Sequence, residues 1–420
     1  MDGEPHRPAH RTFRPGSLDA LNFLLADVRG ALGPYLNVFL VTQQHWSQSS
    51  VGLVTTVSGL LGLIAQTPVG ALIDATRAKR ALIVVALAIL AAGAVAIYAW
   101  PSFWPVMIAN TAIALVGDVF GPAVSALTLG LFARGQLARR LGRNSAFDHA
   151  GNVAIAALAG LVGWLWSQRA VFLLVPVAAI AGSLATLSIP AGAIDHERAR
   201  GADDESAADA HAAGLGVLIT SRPLLVYAFC ALLFHFANAP LLPLVGQKLA
   251  AAHKDLATAM MSACIIAAQL IMLPIALAVG RYADRIGRKP ILLAGFAILP
   301  VRAVLYTFSD QPAWLIGVQL LDGIGAGIFG AITPLVIADL MRGTGRFNVA
   351  QGAVATVQGI GASLSGLAAG IIVDRFGYTA AFLGAGAAAA VAGVALIVAM
   401  PETAPPRSTE VPPCPNSTFS

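Results

Sequence analysis

Charge is scarce in this chain. Asp, Glu, Lys and Arg make up 11% of its 420 residues, against about 25% in a typical soluble domain. Hydrophobic residues make up 57%. A soluble protein of this size would have too few charged groups to cover its apolar surface, so that class is excluded. Cysteine is equally sparse. Cys230, Cys264 and Cys414 show no paired spacing. A thiol in an apolar run behaves as a small hydrophobe, so neither a disulfide framework nor a metal site is expected. No phosphate-cradling glycine loop of the form G-x-x-x-x-G-K-[ST] occurs, which removes nucleotide-driven chemistry. No helix carries His or acidic pairs at metal-ligand spacing, and no nucleophile sits beside a base with a third orienting group. An enzyme is therefore not expected, and no cofactor is implied.

What the chain has instead is long apolar runs. About 20 predominantly apolar residues cross a bilayer as a helix. The runs predict helices over residues 18–42, 51–72, 80–100, 103–132, 145–166, 170–190, 221–247, 258–279, 290–308, 313–340, 347–370 and 377–399. The expected fold class is an all-α membrane protein with twelve transmembrane helices. Residues 1–17 are polar and basic, with Arg7, Arg11 and Arg14. The run that follows carries Asp27 and Arg29, is too long for a leader core and lacks a small-residue cleavage site, so no cleaved signal is expected. Residues 191–220 hold Asp195, Glu197, Asp203, Asp204, Glu205 and Asp209 among alanines, and residues 401–420 are rich in Pro, Ser and Thr. Both read as solvated tethers.

Orientation follows from Lys and Arg. With the N-terminus in the cytoplasm, 20 of the 26 basic residues fall in cytoplasmic segments, and Arg169, Lys248, Lys254 and Arg375 fall outside. This asymmetry places both termini inside. The net charge of +5 then reflects topology and calls for no nucleic-acid partner. Arginine (22) far outnumbers lysine (4) and alanine is abundant, a bias that suggests a GC-rich bacterium and hence its inner (plasma) membrane.

Residues 280–289 read Gly-Arg-Tyr-Ala-Asp-Arg-Ile-Gly-Arg-Lys, and residues 70–80, offset by 210 in a chain of 420, read Gly-Ala-Leu-Ile-Asp-Ala-Thr-Arg-Ala-Lys-Arg. Each links one apolar run to the next. Gly142-Arg143-Asn144 before the fifth run echoes Gly345-Arg346-Phe347 before the eleventh, and Val119-Phe120-Gly121 echoes Ile328-Phe329-Gly330. A third, degenerate copy spans Gly370 to Gly377 with Asp374 and Arg375, on the outer side. The chain thus reads as an internal duplication, with residues 18–190 and 221–400 as its two six-helix bundles.

Two six-helix halves, a central loop and a G-x-L-x-D-R-x-G-R-K hinge after the second and eighth helices resemble the major facilitator superfamily over about residues 18–400. The second hinge is nearly complete, with Gly280, Asp284, Arg285, Gly287, Arg288 and Lys289. The first keeps Gly70 and Asp74 but has Ala75 and Arg77 where a basic residue and a glycine are usual. The resemblance implies that such hinges tie the halves together at the cytoplasmic face in the outward-open state. Asp74 would then cap helix 11 near 343–345 and Asp284 helix 5 near Gly142. Glycine permits positive φ in tight turns, and a carboxylate suits a helix N-terminus. A plain basic loop would explain the arginines but not the recurrence of Asp with Gly.

Interior polar groups are the candidates for solute or proton binding, because a charge at mid-bilayer costs at least ~2.5–3.5 kcal/mol and usually faces a cavity or a partner. Helix 1 carries Asn22, Asp27 and Arg29. Asn22 and Arg29 share a face, while Asp27 points elsewhere. Asp118 of helix 4 is the expected partner of Arg29, either as a functional pair or as a structural one. Ser145, Asp148, His149 and Asn152 form one stripe of helix 5. They read as a proton site, or Asp148 sits in the first helical turn as a dipole partner. In helix 7, His235 and Asn238 share a face just before Pro240 and Pro243, which should break the helix, and broken helices often form transporter sites. Gln319 and Asp322 share a face of helix 10, and Gln269, Gln351 and Gln358 add polar points. Arg302 is expected to snorkel or pair at the outer edge. Phe234, Phe236 and Phe329 serve either packing or stacking on a solute.

With no ATP machinery, transport must be passive or ion-coupled, and the titratable groups inside spans favour protons. The expected function is secondary transport of a small organic solute by alternating access, with efflux ahead of uptake. A transporter-like sensor or an intramembrane enzyme is the reading from another class. The expected partners are the bilayer, the solute and protons, with a monomer as the functional unit.

Overall fold

The computed structural model describes residues 15–26, 32–196, 216–344 and 346–404. Every regular element among them is a helix. A bilayer offers no hydrogen-bond partner to exposed backbone, and the helix satisfies its own. The first half contains α1 (Pro15–Leu25), α2 (Leu32–Thr42), α3 (Gln48–Ala75), α4 (Lys79–Ala99), α5 (Phe103–Leu131), α6 (Arg134–Leu165) and α7 (Leu174–Ser188). After the short α8 (Gly216–Thr220) come α9 (Arg222–Asn238), α10 (Leu241–Ala252), α11 (Ala257–Ile286), α12 (Arg288–Leu305), α13 (Pro312–Leu340) and α14 (Phe347–Ala399).

Nine stretches among the described residues are long and apolar enough to cross a membrane. Three features bring the crossings to twelve. First, α14 is two spans joined at Gly377, whose backbone is non-helical at φ 81° and ψ 174°. Second, α1 and α2 together make one span. Third, α12 spans despite Arg288, Lys289 and Arg302. Twelve crossings return the chain to the side on which it starts, here called the terminal side. Outward-facing side chains such as Ile64, Val177 and Val398 are left to lipid, at 66–80% exposure. Trp100, Trp104, Trp164 and Trp166 are exposed on the far side, where amphipathic indoles settle at headgroup level.

Each half has its own core. In the first it gathers around Leu18, Phe39, Leu87, Phe120 and Phe172. In the second it gathers around Tyr227, Phe234, Phe296, Phe329 and Phe382. A small third cluster, including Tyr35, Val38, Ala159, Val171 and Met261, joins the halves. The fold is the expected all-α membrane architecture of two pseudo-symmetric six-helix bundles.

Three local expectations change. The fifth span begins at Arg134 instead of 145. Gly142-Arg143-Asn144 is therefore helical and not a loop, and Asp148 lies well beyond the first turn, which removes its reading as a dipole partner. Gly70 and Gly280 lie inside helices with no atom within 4 Å of an added Cβ, so the positive-φ argument applies to Gly287 (φ 100°) in the terminal-side hinges and to Gly377 (φ 81°) in the outer copy. The break in helix 7 is present, with α9 ending at Asn238 and α10 starting at Leu241. The terminal segments 1–14 and 405–420, and residues 197–215 of the central linker, lie outside the described residues.

Gly377 and Gly393 both have room for a Cβ, but only Gly377 has a positive φ. Gly377→Ala should cost about 1–3 kcal/mol, the penalty for a side chain held in this glycine-only region of positive φ. Gly393→Ala, in mid-helix, should be neutral or stabilising. Thermal melting of both variants in detergent checks this, and equal melting temperatures would refute it.

Candidate functional site

The far-side ends of the halves are packed tightly. Gly52 of α3 backs onto α14, and a Cβ there would lie 2.7 Å from Gly366 C and 2.8 Å from Leu367 Cα. Thr56 Oγ1 donates to Ser363 O at 2.6 Å and accepts from Leu367 N at 3.1 Å. Small residues permit such helix contact in lipid. On the other seam, Tyr35 OH and Ser262 Oγ are 2.7 Å apart, and Gly163 lies against Thr258.

The outermost tie is Asp374. Its carboxylate accepts from Gln48 N at 3.0 Å and from Ser49 N at 2.8 Å. These are unsatisfied donors of the first turn of α3, where the helix dipole favours an anion. Gln48 Nε2 also donates to Tyr378 OH at 3.0 Å. The degenerate third hinge, noticed in the sequence only as an echo, therefore caps a helix of the opposite half.

The terminal-side hinges are held differently. Arg288 Nη1 bonds Asp284 Oδ1 at 2.6 Å, and the Asp284 side chain is 82% exposed. Arg288 Nε also reaches Asp339 Oδ2 at 3.0 Å. Asp284 thus pairs within its own half here and does not cap the fifth span. Glu402 caps α12 instead, accepting from Arg288 N at 2.8 Å and Lys289 N at 3.1 Å. Partial burial acts to raise the Glu402 pKa, but the backbone N–H groups around the carboxyl outweigh it and hold it below the usual glutamate range. Nothing is described of the Asp74 side chain. Arg285 lies on the last turn of α11.

Two cavities lie in the terminal-side part of the bundle. One, about 260 Å³, is walled by α1, α5 and α6 and lined by Asn22, Phe120, Ser125, Asn144, Asp148 and His149. The other, about 360 Å³, is walled by α9, α13 and α14 and lined by His235, Asn238, Phe329, Thr333, Gln351 and Gln358. The walls differ in how their polar groups are used. In the first, Asn144 bonds Thr128 Oγ1 (3.0 Å) and Arg140 Nε (2.9 Å), and Asn22 Nδ2 donates to Leu18 O (2.7 Å). His149 Nδ1 lies 2.9 Å from Gln269 Oε1 across the seam between halves. Asn152 Nδ2 is 3.5 Å from Asp148 Oδ2.

In the second wall, the side-chain amides of Asn238, Gln351 and Gln358 form no hydrogen bond among the described residues. His235 Nε2 is buried without a partner. Its imidazole stands edge-on to Phe329 at 5.0 Å and Phe234 at 5.7 Å. Phe234 and Phe329 stack on each other at 4.7 Å and are only 3% and 7% exposed, so these rings chiefly pack the bundle and hold the histidine.

The remaining candidates fall elsewhere. Gln319 and Asp322 join Arg302 and Tyr306 in a buried network of the second half. Arg302 Nη1 donates to Asp322 Oδ1, Gln319 Nε2 donates to Asp322 Oδ2 at 2.8 Å, and Tyr306 donates to Gln319 Oε1. Arg302 is 2% exposed, so it does not snorkel. Asp118 is half-buried on α5. Asp27 and Arg29 lie outside the described residues. Sequence reasoning missed Asp19, which accepts from Arg143 Nη2 at 2.7 Å and pairs with Arg140 at 2.7 Å. The three-residue spacing of Arg140 and Arg143 was the available sign that this stretch is helical.

With this geometry in view, the comparisons with known proteins are decisive on family. The Major Facilitator Superfamily model matches residues 18–276 and 224–415. The chain is 48% identical to an uncharacterized MFS-type transporter, Rv2456c of Mycobacterium tuberculosis, over 92% of this chain and 93% of that one. A shorter match, 31% identical over 27% of this chain and 23% of the other, is to the methyl viologen resistance protein SmvA of Salmonella typhimurium. Among solved structures, the nucleoside transporter NupG superposes with a TM-score of 0.75 at 13% identity, covering 91% of this chain and 98% of that one. A partially occluded inward-open form of the xylose transporter XylE from E. coli gives 0.67 at 12% identity, over 93% and 97%. This chain belongs to the Major Facilitator Superfamily. It is a multi-pass membrane transporter and not an enzyme.

Two measurements test the side-chain networks. Removing one partner of a buried ion pair costs about 3–5 kcal/mol. Asp322→Ala should therefore lower thermal stability sharply, whereas the double change Asp322→Leu with Arg302→Met should recover much of it. No recovery would refute a mainly structural pair. The Glu402 cap carries a pH signature. Its depressed pKa means its stabilisation is present above the ordinary glutamate range and is lost as pH falls through the folded value. The melting-temperature gap between the unmodified protein and Glu402→Gln should shrink on acidification, and a gap independent of pH would refute this.

Proposed function

We propose that this chain exports a small, uncharged, polar organic solute in exchange for protons. It works as a monomer in a bacterial inner membrane with both termini cytoplasmic. The observation that carries the solute class is the second wall. Three amides and an imidazole converge on one cavity with no protein partner and no ionised neighbour among the lining residues. A buried polar group left unpaired costs about 1–3 kcal/mol; that applies to His235 Nε2, while the half-buried Asn238 and Gln358 and the exposed Gln351 offer donors and acceptors to a solute without a competing protein partner. An ion would find no countercharge there.

The first wall supplies the titratable pair. Asp148 and His149 line a cavity, and His149 reaches Gln269 in the other half. Closing that space on an ionised carboxylate is expensive, because burial penalises the charged form. Protonation of Asp148 removes the penalty and lets the emptied carrier close and return. The second wall and Asp148 line separate cavities, so solute and proton exclude each other through the conformation, the carrier closing with one or the other but not with both. Mutually exclusive binding of this kind gives exchange in opposite directions, and export follows from an inward proton gradient. The lysine and arginine asymmetry supports termini in the cytoplasm. On that orientation the conformation is closed at its outer face by Asp374 and is hollow on the cytoplasmic side.

The solute is sought by thermal shift against a panel of neutral polar metabolites and drugs, since binding to the native state raises stability. With the binder in hand, proteoliposomes should show proton flux opposite to solute flux. Asp148→Asn should cut pH-driven transport at least tenfold while retaining solute–solute exchange. Solute movement without proton flux sinks the coupling. Flux in the same direction as the solute would make the protein an uptake symporter.

A further inference from the structure

A third cavity lies between the halves on the far side, lined by Asn37, Gln48, Thr55, Gln247 and Ser365 among others, with a volume of about 110 Å³. Asn37 sits on α2 and Gln247 on α10, and the two are offset by 210, the offset of the duplicated hinges. They are therefore matching amides on the outer segments of the first and seventh spans. Asn37 Oδ1 and Gln247 Oε1 are both buried without a hydrogen-bond partner, and Gln247 is only 2% exposed. Buried amide oxygens are normally satisfied. Two symmetry-matched exceptions facing one cavity point to an occupant.

The chamber continues the second wall outward. Along α14, Gln351 and Gln358 line the inner cavity and Ser365 lines the chamber, at seven-residue steps that keep one helix face. Along the seventh span, Asn238 belongs to the inner cavity and Gln247 to the chamber. No ionised side chain appears among the residues lining the chamber. Its lid is the Asp374 tie to Gln48 and Ser49.

We propose that Asn37 and Gln247 form an outer subsite on the transport path. The subsite receives the hydrogen-bonding groups of an uncharged polar solute after it leaves the inner wall, and it opens outward when Asp374 releases α3. This rests on the solute class proposed above. The test uses protein in nanodiscs with Cys230, Cys264 and Cys414 replaced by Ala. Gln247→Cys, Asn37→Cys and Asn238→Cys are each reacted with hydroxyethyl methanethiosulfonate and with its trimethylammonium analogue, every rate being normalised to a free thiol.

Both chamber cysteines should react, at least tenfold faster when Asp374→Ala is added, and the neutral reagent should be favoured at least tenfold over the cation. Thermal melting identifies any variant that fails to fold, and the two positions on opposite halves substitute for each other. If Asn238→Cys reacts while neither chamber cysteine does in either background, the chamber is a sealed packing void and the subsite is overturned. Equal rates with the two reagents overturn its selectivity for uncharged groups. If Asn238→Cys is also unreactive, the inner-wall reading fails instead.

Discussion

A bilayer offers no hydrogen bonds, and the rest of this structure depends on that constraint. The backbone must close its own bonds, so every span is helical, and each helix end that meets another helix needs a partner for its first-turn N–H groups. Asp374 supplies one for α3 across the seam between halves, and Glu402 supplies one for α12 within a half. The same constraint makes unpartnered amides conspicuous. Asn37 Oδ1 and Gln247 Oε1, buried without a partner, stand out for that reason.

The two halves have diverged in chemistry while keeping their shape. The first half holds Asp148 and His149 in a cavity whose amides, Asn22 and Asn144, are tied up internally. The second holds free amides and an imidazole beside packed aromatic rings. Its charged groups, Arg302 and Asp322, neutralise each other away from the cavities.

Much of the fold was legible in the sequence because helix length and charge asymmetry answer to the membrane itself. The twelve runs, the duplication and the break before Pro240 all follow from local composition. The candidate site was only partly legible. The stripes Asp148–His149 and His235–Asn238 were visible as helical spacings and do line cavities. Gln319 and Asp322 had the same spacing, yet they bond Arg302 and Tyr306. Period alone places a residue on a face but not the neighbour that face meets. Asp19 went unnoticed because its partners lie 121 and 124 positions away, at Arg140 and Arg143.

By itself the sequence determined the class of protein, the number of crossings and the two-fold repeat, since these rest on hydrophobic length and on residues near each other along the chain. Only the tertiary structure decided which end of the transporter is closed. It set Asp374 against Gln48 and Ser49, left Asp284 paired within its own half, and brought Asn37 and Gln247 to one chamber. Those outcomes depend on how helices cross between halves, where single glycines such as Gly52 set the approach. Such contacts join residues hundreds of positions apart, and no local pattern encodes them.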